Sequence, residues 1–154
     1  ASDVYKRQIS AGYRSTVTGN TASGNGYNGM EADNGSRVTG NTAGDNKYYG
    51  VKGDYGSTVA GNTADGNGSI GIYGGPGSTV TGNTARDNGS FGIWAGSVCT
   101  VTGNTARFNG FSGIYLLSSC LVDRNTAMYN NQAGGGYTNI NSCASCTFGL
   151  NHAP

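Results

Sequence analysis

One line is written six times in this chain. Asn20, Asn41, Asn62, Asn83, Asn104 and Asn125 lie 21 residues apart, each three residues after a Val and followed by Thr-Ala. Self-similarity at a fixed period of this length marks a solenoid, in which each copy buries its apolar face only by stacking on its neighbours. Stacking the copies turns the sequence into columns. Three of them are apolar: Val17, Val38, Val59, Val80, Val101, Val122; Ala22, Ala43, Ala64, Ala85, Ala106, Ala127; and Ile9, Met30, Val51, Ile72, Ile93, Ile114. Three small apolar columns per repeat suit three short strands, each turning one or two side chains inward. No stripe at the i, i+3, i+4, i+7 spacing of a helix is present, and Gly, at 29 residues, is too frequent for helices.

The polar columns mark the corners. A second Asn column runs Asn25, Asn46, Asn67, Asn88, Asn109, Asn130. Asn tolerates the left-handed backbone of a sharp corner. Amides stacked at the strand spacing of roughly 4.8 Å can also hydrogen-bond along the column. Gly29, Gly50, Gly71, Gly92, Gly113 and Gly134 form a glycine column, read as a position with no room for a side chain. The expected fold is all-β: a parallel β-solenoid, right-handed by the strong preference of parallel crossovers, with about seven coils in 154 residues.

The strings TVTGNTASGNGYNGM (Thr16 to Met30) and TVTGNTARDNGSFGIW (Thr79 to Trp94) resemble the repeats of the pectate-lyase-like superfamily, and within it the NosD-like and CASH-type carbohydrate-associated modules. The resemblance covers about Ile9 to Ala153. It implies a right-handed parallel β-helix and a polysaccharide or glycan partner. It leaves activity open, because that superfamily holds lyases, hydrolases, epimerases, binding modules and tailspikes. Its mannuronan epimerases carry a YGFDPH-like string, which is missing here. The NosD-like side implies a copper pathway, but the ligand cluster copper needs is not in the sequence.

Residues 1–8, ASDVYKRQ, fall outside the repeat and read as a non-native leader, leaving 9–154 as the β-helix domain. No amphipathic cap is visible at either end, so the chain reads as an internal piece of a longer β-helix. Net charge is +1, from nine basic and eight acidic residues. With no basic stripe to neutralise phosphates, nucleic acid is not the expected partner. No apolar run is long enough to span a membrane. Low charge with abundant Asn, Thr, Ser, Gly and Tyr points to a secreted, cell-envelope or periplasmic protein.

Three features compete for function. Tyr73, Trp94 and Tyr115 occupy the column after the inward Ile and should point outward as a flat strip about 10 Å long. Tyr and Trp combine an apolar body with a polar tip, which suits stacking on sugar rings. Phe91, Phe108 and Phe111 should add apolar surface nearby. Against this stands a cross-rung stack that only stabilises pairing. Second, Asp33 and Asp54 share a column on adjacent rungs. Carboxylates that close repel unless a cation or shared proton relieves them. The alternatives are a Ca²⁺ site, a catalytic pair, or two solvated turn residues; apart from that Ca²⁺, no cofactor or metal is expected. Third, Thr16/Thr18, Thr79/Thr81 and Thr100/Thr102 resemble the Thr-x-Thr arrays of ice-binding solenoids, but Arg37, Ala60, Leu121 and Asp123 interrupt the array. Carbohydrate binding through the aromatic strip is the leading reading. A fragment of a polysaccharide lyase, hydrolase or epimerase, or an adhesin-like stalk, is the alternative. Glu31 and Lys52 should pair across a rung, and Asp65, Arg86 and Arg107 should form a surface charge ladder.

The cysteines fall in two groups. Ser15, Ser36, Ser57, Ser78, Cys99, Cys120 and Cys146 form one inward column, where rung-spaced thiols have poor disulfide geometry. Cys143 and Cys146 spell CxxC and leave open a disulfide, or a metal site with His152. After Asn125 the repeat recurs 26 residues later, with an insertion around Gly134 to Ala144. Phe148 then takes the Val column and His152 the column of Thr126.

Overall fold

The computed structural model describes residues 8–141, 143 and 145–154; residues 1–7 of the expected leader lie outside them. The chain winds as a three-sided parallel β-solenoid. The first sheet stacks Ile9–Ala11, Met30–Ala32, Val51–Gly53, Ile72–Gly74, Ile93–Ala95 and Ile114–Leu116. The second stacks seven strands from Thr16–Thr18 to Thr147–Phe148. The third stacks six, from Thr21–Ser23 to Thr126–Met128. Six turns are thus complete on all three sides, and the second sheet carries a seventh strand. Every pairing among the named strands is parallel, and up to Met128 every partner lies 21 residues away.

The strands differ in phase. In the second and third sheets the middle residue is buried, which places the Val and Ala columns inside. In the first sheet the outer two residues are buried and the middle one faces out. That phase sends Ile72, Ile93 and Ile114 into the core and Tyr73, Trp94 and Tyr115 to the surface. Burying an Ile or Val side chain stabilises by about 1.5–3 kcal/mol, so each rung contributes a few such units to a narrow core.

The corners are held by asparagine amides. Asn62 shows the pattern. Its Nδ2 donates to Val38 O at 2.9 Å and to Asn83 Oδ1 at 3.0 Å. Its Oδ1 accepts from Asn41 N at 3.0 Å and Asn41 Nδ2 at 2.9 Å. All four hydrogen-bonding positions of a buried primary amide are filled. The expected amide ladder therefore exists, and it exists twice. One runs from Asn20 to Asn125 and on to Asn151; the other runs from Asn25 to Asn130 and on to Asn139.

Two expectations are corrected here. The Asn residues of the two columns do not adopt the left-handed backbone. The residue before each one does: Gly19, Gly40, Gly61, Gly82, Gly103 and Arg124 at the first corner, and Gly24, Asp45, Gly66, Asp87, Phe108 and Tyr129 at the second. The Asn side chain must face inward to reach its neighbours, so the reversal of the chain is displaced by one residue. Second, Gly134 is not in the glycine column. Asn139 O accepts from Ile114 N, as Gly113 O does from Ile93 N one rung earlier, and Ile140 pairs with Ile114. The insertion shifts the column by five residues. The Ser/Cys column is inward, as expected, and its side chains accept from backbone N–H groups of the preceding rung. Ser36 N donates to Ser57 Oγ at 3.2 Å, Ser57 N to Ser78 Oγ at 3.1 Å, and Cys120 N to Cys146 Sγ at 3.3 Å.

The rest of the glycine column is explained by space. A Cβ on Gly71 would lie 2.5 Å from Asn88 Nδ2 and 2.7 Å from Gly92 O. The residue cannot grow without pushing the second amide ladder apart. Of the two open readings of Cys143 and Cys146, the structure takes the disulfide. Cys99 and Cys120 are free and buried, and burial pushes the Cys99 thiol up to about 11.

Two stability predictions follow from these corners. Asn83→Ala empties a mid-ladder site: it removes the acceptor of Asn62 N, the acceptor of one of the two Asn62 Nδ2 hydrogens, and one donor to Val59 O. Leaving several buried groups unsatisfied should cost about 3–5 kcal/mol in urea unfolding, against under about 1 kcal/mol for Asn20→Ala at the half-exposed end. Val98 is β-branched, exposed and left-handed at φ 60°, in the corner position held by Gly35, Gly56 and Gly77 on other rungs. Relieving that backbone with Val98→Gly should raise stability by about 1 kcal/mol in the same measurement.

Candidate functional site

The middle residues of the first sheet form one outward column, in register: Ser10, Glu31, Lys52, Tyr73, Trp94, Tyr115. The phase of the sheet thus sets a charged segment and an aromatic segment end to end along the solenoid axis. From the Glu31 rung to the Tyr115 rung this face extends roughly 19 Å at the usual strand spacing.

The aromatic segment is a ring cluster rather than the flat strip expected. Tyr73 and Trp94 lie with ring centroids 6.4 Å apart and planes at 61°. Trp94 and Tyr115 are 5.2 Å apart at 70°. Edge-to-face packing is the favourable arrangement for neighbouring rings, because it brings a positive edge to a negative face. The corner preceding the sheet adds Phe91, which packs on both Trp94 and Tyr115, and Phe111. The inserted loop returns Tyr137 onto Phe111, stacked at 4.4 Å. Trp94 Nε1 is shielded from solvent and has no acceptor among the described residues. Phe108 is not part of the cluster: it stacks on Tyr129 at 5.4 Å, at the corner after the third sheet.

At the charged end, Lys52 Nζ lies 2.6 Å from Glu31 Oε1 and 3.3 Å from Asp54 Oδ1. Glu31 also accepts from Asn28 Nδ2 at 3.0 Å and from Gln8 Nε2 at 3.4 Å. Partial burial opposes the charge on Glu31, but the hydrogen bonds from Lys52, Asn28 and Gln8 and the Lys52 charge outweigh it. Its carboxyl sits below the ordinary range. Partial burial likewise opposes the Lys52 charge and is outweighed by Glu31 and Asp54, so its ammonium is held above its ordinary value. Burial, then the Asp54 charge, raises the Tyr73 phenol and keeps it protonated.

A cleft of about 350 Å³ opens beside the ion pair, lined by Tyr27, Asn28, Glu31, Tyr48, Tyr49, Lys52 and Ser69. Tyr49 stacks on Tyr73 at 6.0 Å with planes 7° apart. That contact makes the cleft and the ring cluster one continuous surface.

The candidate acids separate. Asp54 is an ion-pair partner of Lys52, whereas Asp33 is exposed in the turn one rung away. Among the described residues, no three His, Cys, Asp or Glu side chains converge as metal ligands. Asp65 pairs with Arg86 at 2.7 Å on the third sheet, as expected of a surface ladder. The second-sheet register confirms that Arg37 and Leu121 interrupt one Thr column and Ala60 and Asp123 the other. The third sheet carries an unbroken outward column, Thr21, Thr42, Thr63, Thr84, Thr105 and Thr126, which the sequence reading passed over. It also passed over Tyr27, Tyr48 and Tyr49. Their signal was present, since Tyr27, Tyr48, Ser69, Ser90 and Phe111 are spaced by 21, as are Asn28, Tyr49, Ile70 and Phe91.

Residues 7–153 match the family model described as a right-handed β-helix region. The chain belongs to the right-handed β-helix family. Its fold is that of a pectate-lyase-like solenoid. It is similar to the crystal structure of the periplasmic alginate epimerase AlgG, with a TM-score of 0.78 and 19% identity over 96% of this chain. A double mutant of the same epimerase superposes with a TM-score of 0.76 and 19% identity over 94% of the chain. In both cases the chain spans 43% of the other protein's length. No curated protein matches the chain significantly by sequence.

The ion pair has a pH signature. Glu31, lowered on folding, contributes stability above its ordinary value of 4.5 that is lost as pH falls through the folded value. Lys52, raised on folding, contributes below 10.5 and loses that contribution as pH rises through its folded value. Glu31→Gln should therefore lower the neutral plateau of a melting-temperature profile slightly and flatten its acid limb below about pH 4.5 by the same small amount, because partly exposed pairs contribute little.

Proposed function

We infer that the outer face of the first sheet is a polysaccharide-binding surface of a secreted or envelope β-helix protein, with the sugar chain lying along the solenoid axis. The observation that carries this reading is the junction at Tyr49 and Tyr73, which joins a cleft lined by polar and aromatic groups to a half-exposed ring cluster. Clusters of exposed rings rimmed by polar groups are features of binding surfaces. Tyr and Trp rings offer flat apolar faces to the C–H faces of sugars, while Asn28, Ser69 and the Tyr hydroxyls supply hydrogen bonds to sugar hydroxyls. Five rungs of face, roughly 19 Å long, suit an extended polymer better than a single small molecule. The fold shared with an alginate epimerase is in keeping with a polysaccharide ligand.

The test is a glycan-array screen with the wild-type chain, Trp94→Ala and Trp94→Phe, each first checked for the β-sheet circular dichroism of the folded solenoid. Trp94→Ala should weaken binding at least about tenfold, the loss of a central aromatic anchor, and Trp94→Phe should restore part of it. Equal binding by wild type and a folded Trp94→Ala would exclude this face.

A further inference from the structure

The charge arrangement of this face narrows the class of sugar it takes. Lys52 is the one cationic residue in the outward column of the first sheet, and it is already committed. Glu31 and Asp54 hold its Nζ at 2.6 and 3.3 Å. Two carboxylates surround one ammonium, so the cluster keeps a net negative charge. Glu31 is fixed in the ionised form by three donors, from Lys52, Asn28 and Gln8. Beyond the ion pair, Tyr27, Asn28, Tyr48, Tyr49 and Ser69 line the cleft, and all are neutral. Lys47 stands exposed over the Tyr48 ring, 5.5 Å from its centroid, and is not among the residues that line the cleft. Farther along the face the column continues as Tyr73, Trp94 and Tyr115 with no charge at all.

We propose that this surface, granted that it binds polysaccharide, selects neutral hydroxyl-rich polysaccharides and rejects uronate polymers. The reason is the pairing already made. A uronate carboxylate approaching the cleft meets Glu31 and Asp54, and it reaches Lys52 only by displacing one of them. Breaking a charge-assisted hydrogen bond to form an equivalent one returns nothing, while the like charges repel. A neutral sugar faces no such exchange. Its hydroxyls donate to the free lone pairs of Glu31 and Asp54 and accept from the Tyr and Ser hydroxyls, while its C–H face lies on the rings. The carboxylates thus serve as acceptors for sugar hydroxyls, and Lys52 serves to hold them in place.

The test measures affinity by calorimetry at low ionic strength for neutral polymers (a β-glucan, a mannan and a xylan) and for uronate polymers (alginate and polygalacturonate). The wild-type chain is compared with Trp94→Ala and with the double variant Glu31→Gln, Asp54→Asn, in which Lys52 loses both carboxylates. A neutral polymer should bind with little salt dependence and at least about tenfold more tightly than either uronate. In the double variant uronate affinity should rise about tenfold and become salt-sensitive, while neutral binding falls. Uronate binding by the wild type that equals or exceeds neutral binding, and is lost in Trp94→Ala, would overturn the selectivity and leave the aromatic face as the site. Failure of the folded wild type to bind any of these polymers would overturn the selectivity together with the reading on which it rests.

Discussion

The asparagine amide ladder is the constraint on which the rest of this structure depends. A solenoid corner turns the backbone sharply and buries peptide groups that no strand can pair. Here the side chain of a buried Asn reaches into that gap. It donates to a Val or Ala carbonyl of the preceding rung and to the next Asn, while its oxygen takes two N–H donors from the rung below. A primary amide is the only neutral side-chain group with two donors on one atom and two lone pairs on another, so a hydroxyl, a thiol or an aliphatic side chain cannot fill the position completely. Once one rung is set, the ladder prescribes the position of the next to within a hydrogen-bond length. The exact 21-residue register of all three sheets up to Met128 follows.

That register is what makes a surface out of a repeat. Because every rung repeats its neighbour in phase, whatever stands in one outward position becomes a line along the axis. The solenoid carries several such lines: a Thr column on the third sheet, a broken Thr pair on the second, and the Glu–Lys–Tyr–Trp–Tyr column on the first. The first-sheet line is flanked by a corner whose rings pack onto its own. Phe91 and Phe111 come from the turn before the strand, and Tyr137 from the one loop that departs from the period. The departure is tolerated because Asn139 picks up the second ladder where Asn130 leaves it, at 3.0 Å, so the loop bulges outward without unpicking the corner.

The polar end of the same line shows why partners matter more than residue types. Two Asp residues in one column could hold a cation or share a proton. Instead Asp54 is answered by Lys52 from its own strand, and Lys52 by Glu31 from the rung below. The like-charge problem is solved within the chain, and the cluster that results carries acceptors for hydroxyl groups rather than a vacant cation.

What the sequence by itself determined is whatever the strict period controls. The solenoid, its parallel strands, the inward Val, Ala and Ile columns, the two amide ladders and the Glu31–Lys52 pair were all legible, because a fixed spacing converts identity of residue into identity of place. What only the tertiary structure decided lies where the period is broken or a direction depends on the corner. Asn139 replaces Gly134 because reach to Asn130, not position in the repeat, chooses the next ladder member. The left-handed residue precedes the Asn because the amide must face inward. Tyr49 joins the cleft to the rings, and Phe108 leaves them, because a corner residue points where the local backbone turn sends it. Side-chain direction in a strand alternates and can be counted from sequence; in a corner it is set by packing between rungs, which no single repeat contains.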